Sequence, residues 1–158
     1  ITSNNYTEMS KMKLINIIGK IVILLAILSP NLVYAADHAV NAQAREFKPA
    51  IVYIQPGDSV KFNNMTSHNA VSYLIPEGGT QFGDNGKFPG GSFTAQPDKE
   101  GIWGYVCEPH IGFGMVGIIV VGDVSADDVA AAKKQAIETL KGPFKRVIGK
   151  INKIKPTK

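Results

Sequence analysis

One short stretch gathers three metal-seeking side chains: Cys107-Glu108-Pro109-His110-Ile111-Gly112-Phe113-Gly114-Met115. A further imidazole, His68, lies 39 residues before the cysteine. Together they offer one thiolate, two imidazoles and one thioether. Soft sulfur suits Cu(I), imidazole suits both copper oxidation states, and two His with one Cys and a weak axial Met make a copper electron-transfer set. Zinc takes Cys and His but rarely Met. Singly, each residue has a bland explanation: His68 as an ordinary histidine, Met115 as the start of an apolar strand, Cys107 as a small buried hydrophobe. Jointly they do not, because Cys107 is the only cysteine of the chain and has no partner for a disulfide. His38 falls outside the pattern and is expected to be exposed, an adventitious metal binder at most.

Four protein donors leave no open position for a substrate, which favours a carrier over a catalyst. A copper storage or delivery protein is the alternative, but it would want an exchangeable site with several Met or His, and the chain has one complete set. Enzymatic readings are weaker. A Cys107–His110 nucleophile pair lacks a third group to orient it and leaves Met115 unexplained. Asp127-Asp128 reads as helix N-terminal charge. Gly78-Gly79 and Gly90-Gly91 read as turns rather than a phosphate cradle. The net charge of +4 over 158 residues is too mild to imply nucleic acid.

The elements that must position these donors follow an expected export signal. Lys11, Lys13 and Lys20 precede the apolar run Ile21–Leu28, then Ser29-Pro30 and Val33-Tyr34-Ala35-Ala36. Basic region, short apolar core and small residues make a secretory signal peptide over residues 1–36, cut after Ala35 or Ala36. The eight apolar residues would span only about 12 Å as a helix against a hydrocarbon core of about 30 Å. A periplasmic location is expected. Residues 37–122 read as an all-β Greek-key sandwich, with strands near Ala50–Gln55, Ser59–Asn63, Ala70–Ile75, Ser92–Ala95, Ile102–Cys107 and Met115–Val121. Residues 123–158 change to helical period. Ser125 with Asp128 is a capping box; Val129, Ala132, Ala136, Ile137 and Leu140 share a face; Gly142-Pro143 ends the helix. A second helix carries Phe144, Val147, Ile148, Ile151 and Ile154, weakened by Gly149. This extension is expected to cover one face of the sandwich. Charge is segregated: −3 over residues 37–122 and +5 over residues 123–158. Acidic lipid or an acidic protein could meet the basic helices, the only place where membrane contact is expected.

Cys107-x-Pro109-His110-x4-Met115 resembles the ligand loop of the cupredoxins, in the length shared by pseudoazurins and plastocyanins. The pseudoazurin family is the closer match: the His68-to-Cys107 interval, Phe47-x-Pro49, Pro56-Gly57-Asp58-Ser59-Val60, Ile75-Pro76-Glu77-Gly78 and the two C-terminal helices all resemble it. The resemblance implies a monomeric type 1 blue copper protein with one copper, held by His68, Cys107, His110 and Met115. It implies that Asn69 ties the two ligand loops together beside the thiolate. It also implies that Pro109, Ile111, Gly112, Phe113 and Gly114 form the apolar patch around His110 through which electrons leave, toward redox proteins such as a copper nitrite reductase or another periplasmic oxidoreductase. Two features depart from the family. Glu108 replaces a small hydroxyl residue after the cysteine. The β domain is net acidic where pseudoazurins ring the patch with lysines.

Overall fold

The computed structural model describes residues 35–83 and 86–158. The expected signal segment therefore lies outside the described residues, except for Ala35 and Ala36.

Among the described residues, eight strands form two four-stranded sheets. The first, in the order β2-β1-β4-β6, contains β1 (Asp37–Gln43), β2 (Glu46–Lys48), β4 (Ser59–Asn63) and β6 (Ser92–Ala95). The second, in the order β3-β8-β7-β5, contains β3 (Ile51–Ile54), β8 (Val116–Val121), β7 (Gly101–Val106) and β5 (Val71–Leu74). β1 runs parallel to β4 and β3 parallel to β8; the other neighbours are antiparallel. The inner faces enclose one core, with Phe47, Phe62, Trp103, Tyr105, Cys107, Met115 and Ile119 buried together. Every residue of β8 is buried, as its unbroken apolar run requires of a strand covered on both faces.

The second cover comes from the C-terminal extension. Helix α1 (Ala126–Thr139) starts at Ser125, whose Oγ accepts the Asp128 N–H at 3.1 Å while the Asp128 carboxylate accepts the Ser125 N–H at 2.7 Å. Val129, Ala132, Ala136 and Leu140 pack against the outer face of the second sheet. Ile137 does not join them and is 48% exposed. It lies one step of about 100° beyond Ala136. On the other flank Gln135 is half-buried and its Nε2 donates to the Ile75 carbonyl at 2.8 Å. The expected second helix is shorter than its stripe: a 3-10 turn spans Gly142–Arg146 and helix α2 only Val147–Ile151. Pro143 occupies the start of the turn, and Gly149 disfavours a longer helix. Ile154 is buried just beyond it. A Cβ on Gly104 of β7 would lie 2.5 Å from Val147 Cγ1, so a glycine is needed for α2 to sit directly on the strand backbone. The chain end is tied down by Thr157, whose N–H donates to the Val124 carbonyl at 2.8 Å and whose Oγ1 accepts the Val124 N–H at 2.8 Å. Among the described residues no helix is long and apolar enough to cross a membrane.

His38 corrects one expectation. It is half-buried on β1, with Nε2 at 2.8 Å from Asp58 Oδ2. Asp58, itself buried, also accepts the N–H groups of Ala36 at 2.7 Å and Gln55 at 2.9 Å. The Ala36 hydrogen bond above all, then His38 and Gln55, lower its pKa to about 2. Its unfolded value is about 3.9, so its contribution is complete above that pH and is lost as pH falls through the folded value. Asp58→Asn is expected to cost about 1–2 kcal/mol at pH 7. In urea unfolding, the gap between variant and parent should close as pH falls from about 4 to about 2.

Candidate metal centre

The sheet register brings the donors to one end of the molecule. β5 pairs with β7 through Val71 and Val106, so His68, before β5, arrives beside Cys107, after β7. β7 pairs with β8 through Val106 and Val116, which sets Met115 at the same end. Between them the chain makes a 3-10 turn, Glu108–Phe113, started by Pro109 and closed by Gly114 at a φ of 87°. Four backbone bonds close this loop: the Cys107 N–H donates to Met115 O at 2.9 Å, His110 N–H to Cys107 O at 3.0 Å, Gly114 N–H to Ile111 O at 2.9 Å, and Met115 N–H to His110 O at 3.3 Å.

Cys107 Sγ lies 3.6 Å from His68 Nδ1 and 3.3 Å from His110 Nδ1, and the donor atoms of all three residues lie within 4.8 Å of one another. One ion at ordinary metal–ligand distances of about 2.0–2.3 Å could touch all three. Met115 is fully buried in the same core cluster as Cys107. Burial pushes the Cys107 thiol up, against the backbone N–H groups of Asn69 and His110, which favour the thiolate. Burial, and then the neighbouring His110, lower the His68 pKa, which keeps that imidazole neutral and able to ligate.

Asn69 and Glu108 lock the two ligand segments together. Asn69 Nδ2 donates to Glu108 Oε2 at 2.7 Å, and Asn69 Oδ1 accepts the Glu108 N–H at 2.8 Å. Tyr73 OH donates to Glu108 Oε1 at 2.5 Å, and the Gly86 N–H reaches Oε2 at 2.5 Å. Burial works against the Glu108 carboxylate, yet bonds from Tyr73, Gly86 and Asn69 hold it below the usual range. Burial and then Glu108 raise the Tyr73 phenol to about 12. Glu108 is thus a bonded hub. Tyr73 and Gly86 carried no signal in the sequence, because nothing local points them at residue 108.

A family model described as copper binding proteins, plastocyanin/azurin family, matches residues 34–122. The chain belongs to that family. Among curated relatives it is 36% identical over 119 residues to a pseudoazurin of Paracoccus pantotrophus, covering 70% of this chain and 78% of that one. It is 42% identical over 89 residues to a chloroplastic plastocyanin of Tetradesmus obliquus, covering 51% and 61%. Native pseudoazurin from Hyphomicrobium denitrificans superposes with a TM-score of 0.58 at 31% identity, over 75% of this chain and 98% of that structure. The protein is a pseudoazurin-like cupredoxin, and copper is its cofactor. The donor chemistry fits that metal: a cysteine sulfur and two imidazoles in contact, with a thioether buried in the same core.

The surface of this cupredoxin around His110 is part apolar and part basic. Pro109, Gly112 and Phe113 are exposed, Phe113 at 58%, and His110 and Gly114 are half-buried. Ile111 is half-buried and packs against the outer core beneath the extension. The Arg45 guanidinium sits 3.9 Å over the Phe113 ring. A groove beside the loop is lined by Phe113, Gly114, Arg146, Lys150 and Lys153. The net negative charge of the β domain therefore does not describe this patch, whose rim is supplied by the β1–β2 turn and the C-terminal extension.

Proposed function

We propose that this chain is a periplasmic single-electron carrier in which His68, Cys107, His110 and Met115 ligate one type 1 copper. The observation that carries this is the convergence of a lone thiolate and two imidazoles at the end of three adjacent strands. Bound copper supplies a one-electron Cu(II)/Cu(I) couple. The protein's part is to hold the donors still. The strand ends, the closed loop and the Asn69–Glu108 tie fix them from three sides, so little rearrangement accompanies a change of charge. His110, half-buried beside exposed Phe113, gives the electron its way out. The copper-loaded protein should be intensely blue or green, show the EPR signal of a type 1 site, bleach on ascorbate and recover on reoxidation. A colourless copper complex would overturn the reading.

Arg45, Arg146, Lys150 and Lys153 around the apolar patch suit a redox partner with an acidic face, such as a copper nitrite reductase with an acidic docking surface. Weak electron-transfer encounters bury less than about 1,200 Å², so a few rim charges weigh heavily on the association rate. Arg146→Glu should slow association with such a partner roughly five- to tenfold at low ionic strength, with the rates converging in high salt. Stopped-flow electron transfer across a salt series checks this.

A further inference from the structure

The carboxylate of Asp58 stands where the expected export signal ends. Its Oδ1 accepts the Ala36 N–H at 2.7 Å. Its other oxygen is taken by the Gln55 N–H at 2.9 Å and His38 Nε2 at 2.8 Å. The Ala36 carbonyl accepts the Ser59 N–H at 3.0 Å, so Ala36 is gripped at both ends by the turn that leads into β4. Ala35, one residue earlier, is exposed.

The two cuts that the sequence allows differ physically here. A cut after Ala36 would remove the donor to Oδ1 and leave that buried oxygen without it. It would also put bulky Tyr34 three residues before the new end, where a signal peptidase favours small side chains. A cut after Ala35 places Ala35 and Val33 at the two recognition positions and keeps the Ala36 nitrogen on the carboxylate.

We propose that a signal peptidase cuts between Ala35 and Ala36, and that Asp58 is the receptor for the α-ammonium group so created. The proposal rests on residues 1–35 being an export signal. Hydrolysis breaks the Ala35–Ala36 amide bond with one water, whose oxygen ends on Ala35 as part of a carboxylate and whose two hydrogens end on the Ala36 nitrogen. That nitrogen changes from a neutral amide with one donor to a cation with three, already within bonding distance of an anion. A hydrogen bond charged on both sides replaces one charged on a single side, which adds the Coulomb attraction between an ammonium and a carboxylate. Removal of the leader thereby completes the clamp on β1, the strand that His38 and Ser59 also tie to the Asp58 turn.

The test begins with the intact mass of the protein after secretion by a bacterial host, expected to start at Ala36. Its melting temperature is then compared with that of the same chain acetylated at the amine and of a chain retaining Ala35, each also made as Asp58→Asn. Blocking or displacing the amine should lower the melting temperature by about 3–6 °C with Asp58 present and by less than about 1 °C without it. A secreted chain starting at Asp37, an acetylated chain as stable as the free one, or an equal loss in the Asp58→Asn background would each overturn the proposal. Should Asp58→Asn fail to fold, the free and acetylated Asp58 chains still decide it. A protein that keeps its leader would refute the export reading itself, whereas a chain cut to Ala36 in vitro would still report on the Asp58 receptor.

Discussion

Cys107→Ser should abolish the colour of the copper-loaded protein. The intense visible band of a blue-copper site requires a thiolate bound to the metal, and no second cysteine exists to replace it. A serine hydroxyl is a hard donor that stays protonated at neutral pH, so the variant would present two imidazoles and a thioether. Copper bound there should be pale and weakly held. The fold should survive at some cost, since a hydroxyl at this fully buried position costs about 1–3 kcal/mol unless it finds a partner. Melting of the copper-free variant separates that loss from the loss of the metal site. His38→Ala is the control: His38 serves Asp58 at the N-terminal clamp and lies outside the cluster of His68, Cys107 and His110, so its loss should leave the spectrum intact. A coloured Cys107→Ser protein would remove the thiolate from the proposal.

The donors were legible because their chemistry is written in side-chain type and in the short loop between two strong strands. The six expected strands, now β3 to β8, were legible for a similar reason: β-branched or aromatic residues recur in each, and all but β4 are closed by Pro or Gly within the next three residues. β1 and β2 were not. Asp37–Gln43 holds two alanines, an asparagine and a glutamine, all poor strand formers, and pairs with β4, more than twenty residues away. Its only fully apolar signal, Val40 with Ala42, is too short to read as alternation. The basic rim of the patch is invisible in the sequence because charge summed by segment ignores where the chain returns. Arg45 comes from the turn between β1 and β2 and Arg146 from the extension, and both reach the ligand loop only after folding. The Glu108 hub was half visible: an acidic residue after the cysteine stood out, but its bonds to Tyr73 and Gly86 depend on contacts 35 and 22 residues away.

Truncation after Gly122 should unfold the domain rather than merely soften it. Without α1, α2 and the tail, the outer face of the second sheet would expose Leu74, Ile102, Val106, Val116, Ile118 and Val120, all now at most 4% exposed. Burying such side chains contributes about 1.5–3 kcal/mol each, and whole domains are stable by only about 5–15 kcal/mol. Six of them set against that margin leave little reason for the strands to hold together, so the colour should be lost with the fold. A milder substitution separates cover from copper. Ile151→Ala, at a fully buried position on α2, should cost about 2–4 kcal/mol and lower the melting temperature while leaving the absorption spectrum unchanged. Thermal melts followed by copper titration of both proteins check the pair. A truncated chain that melts near the parent and turns blue with copper would mean that the sandwich holds its core and its metal site alone.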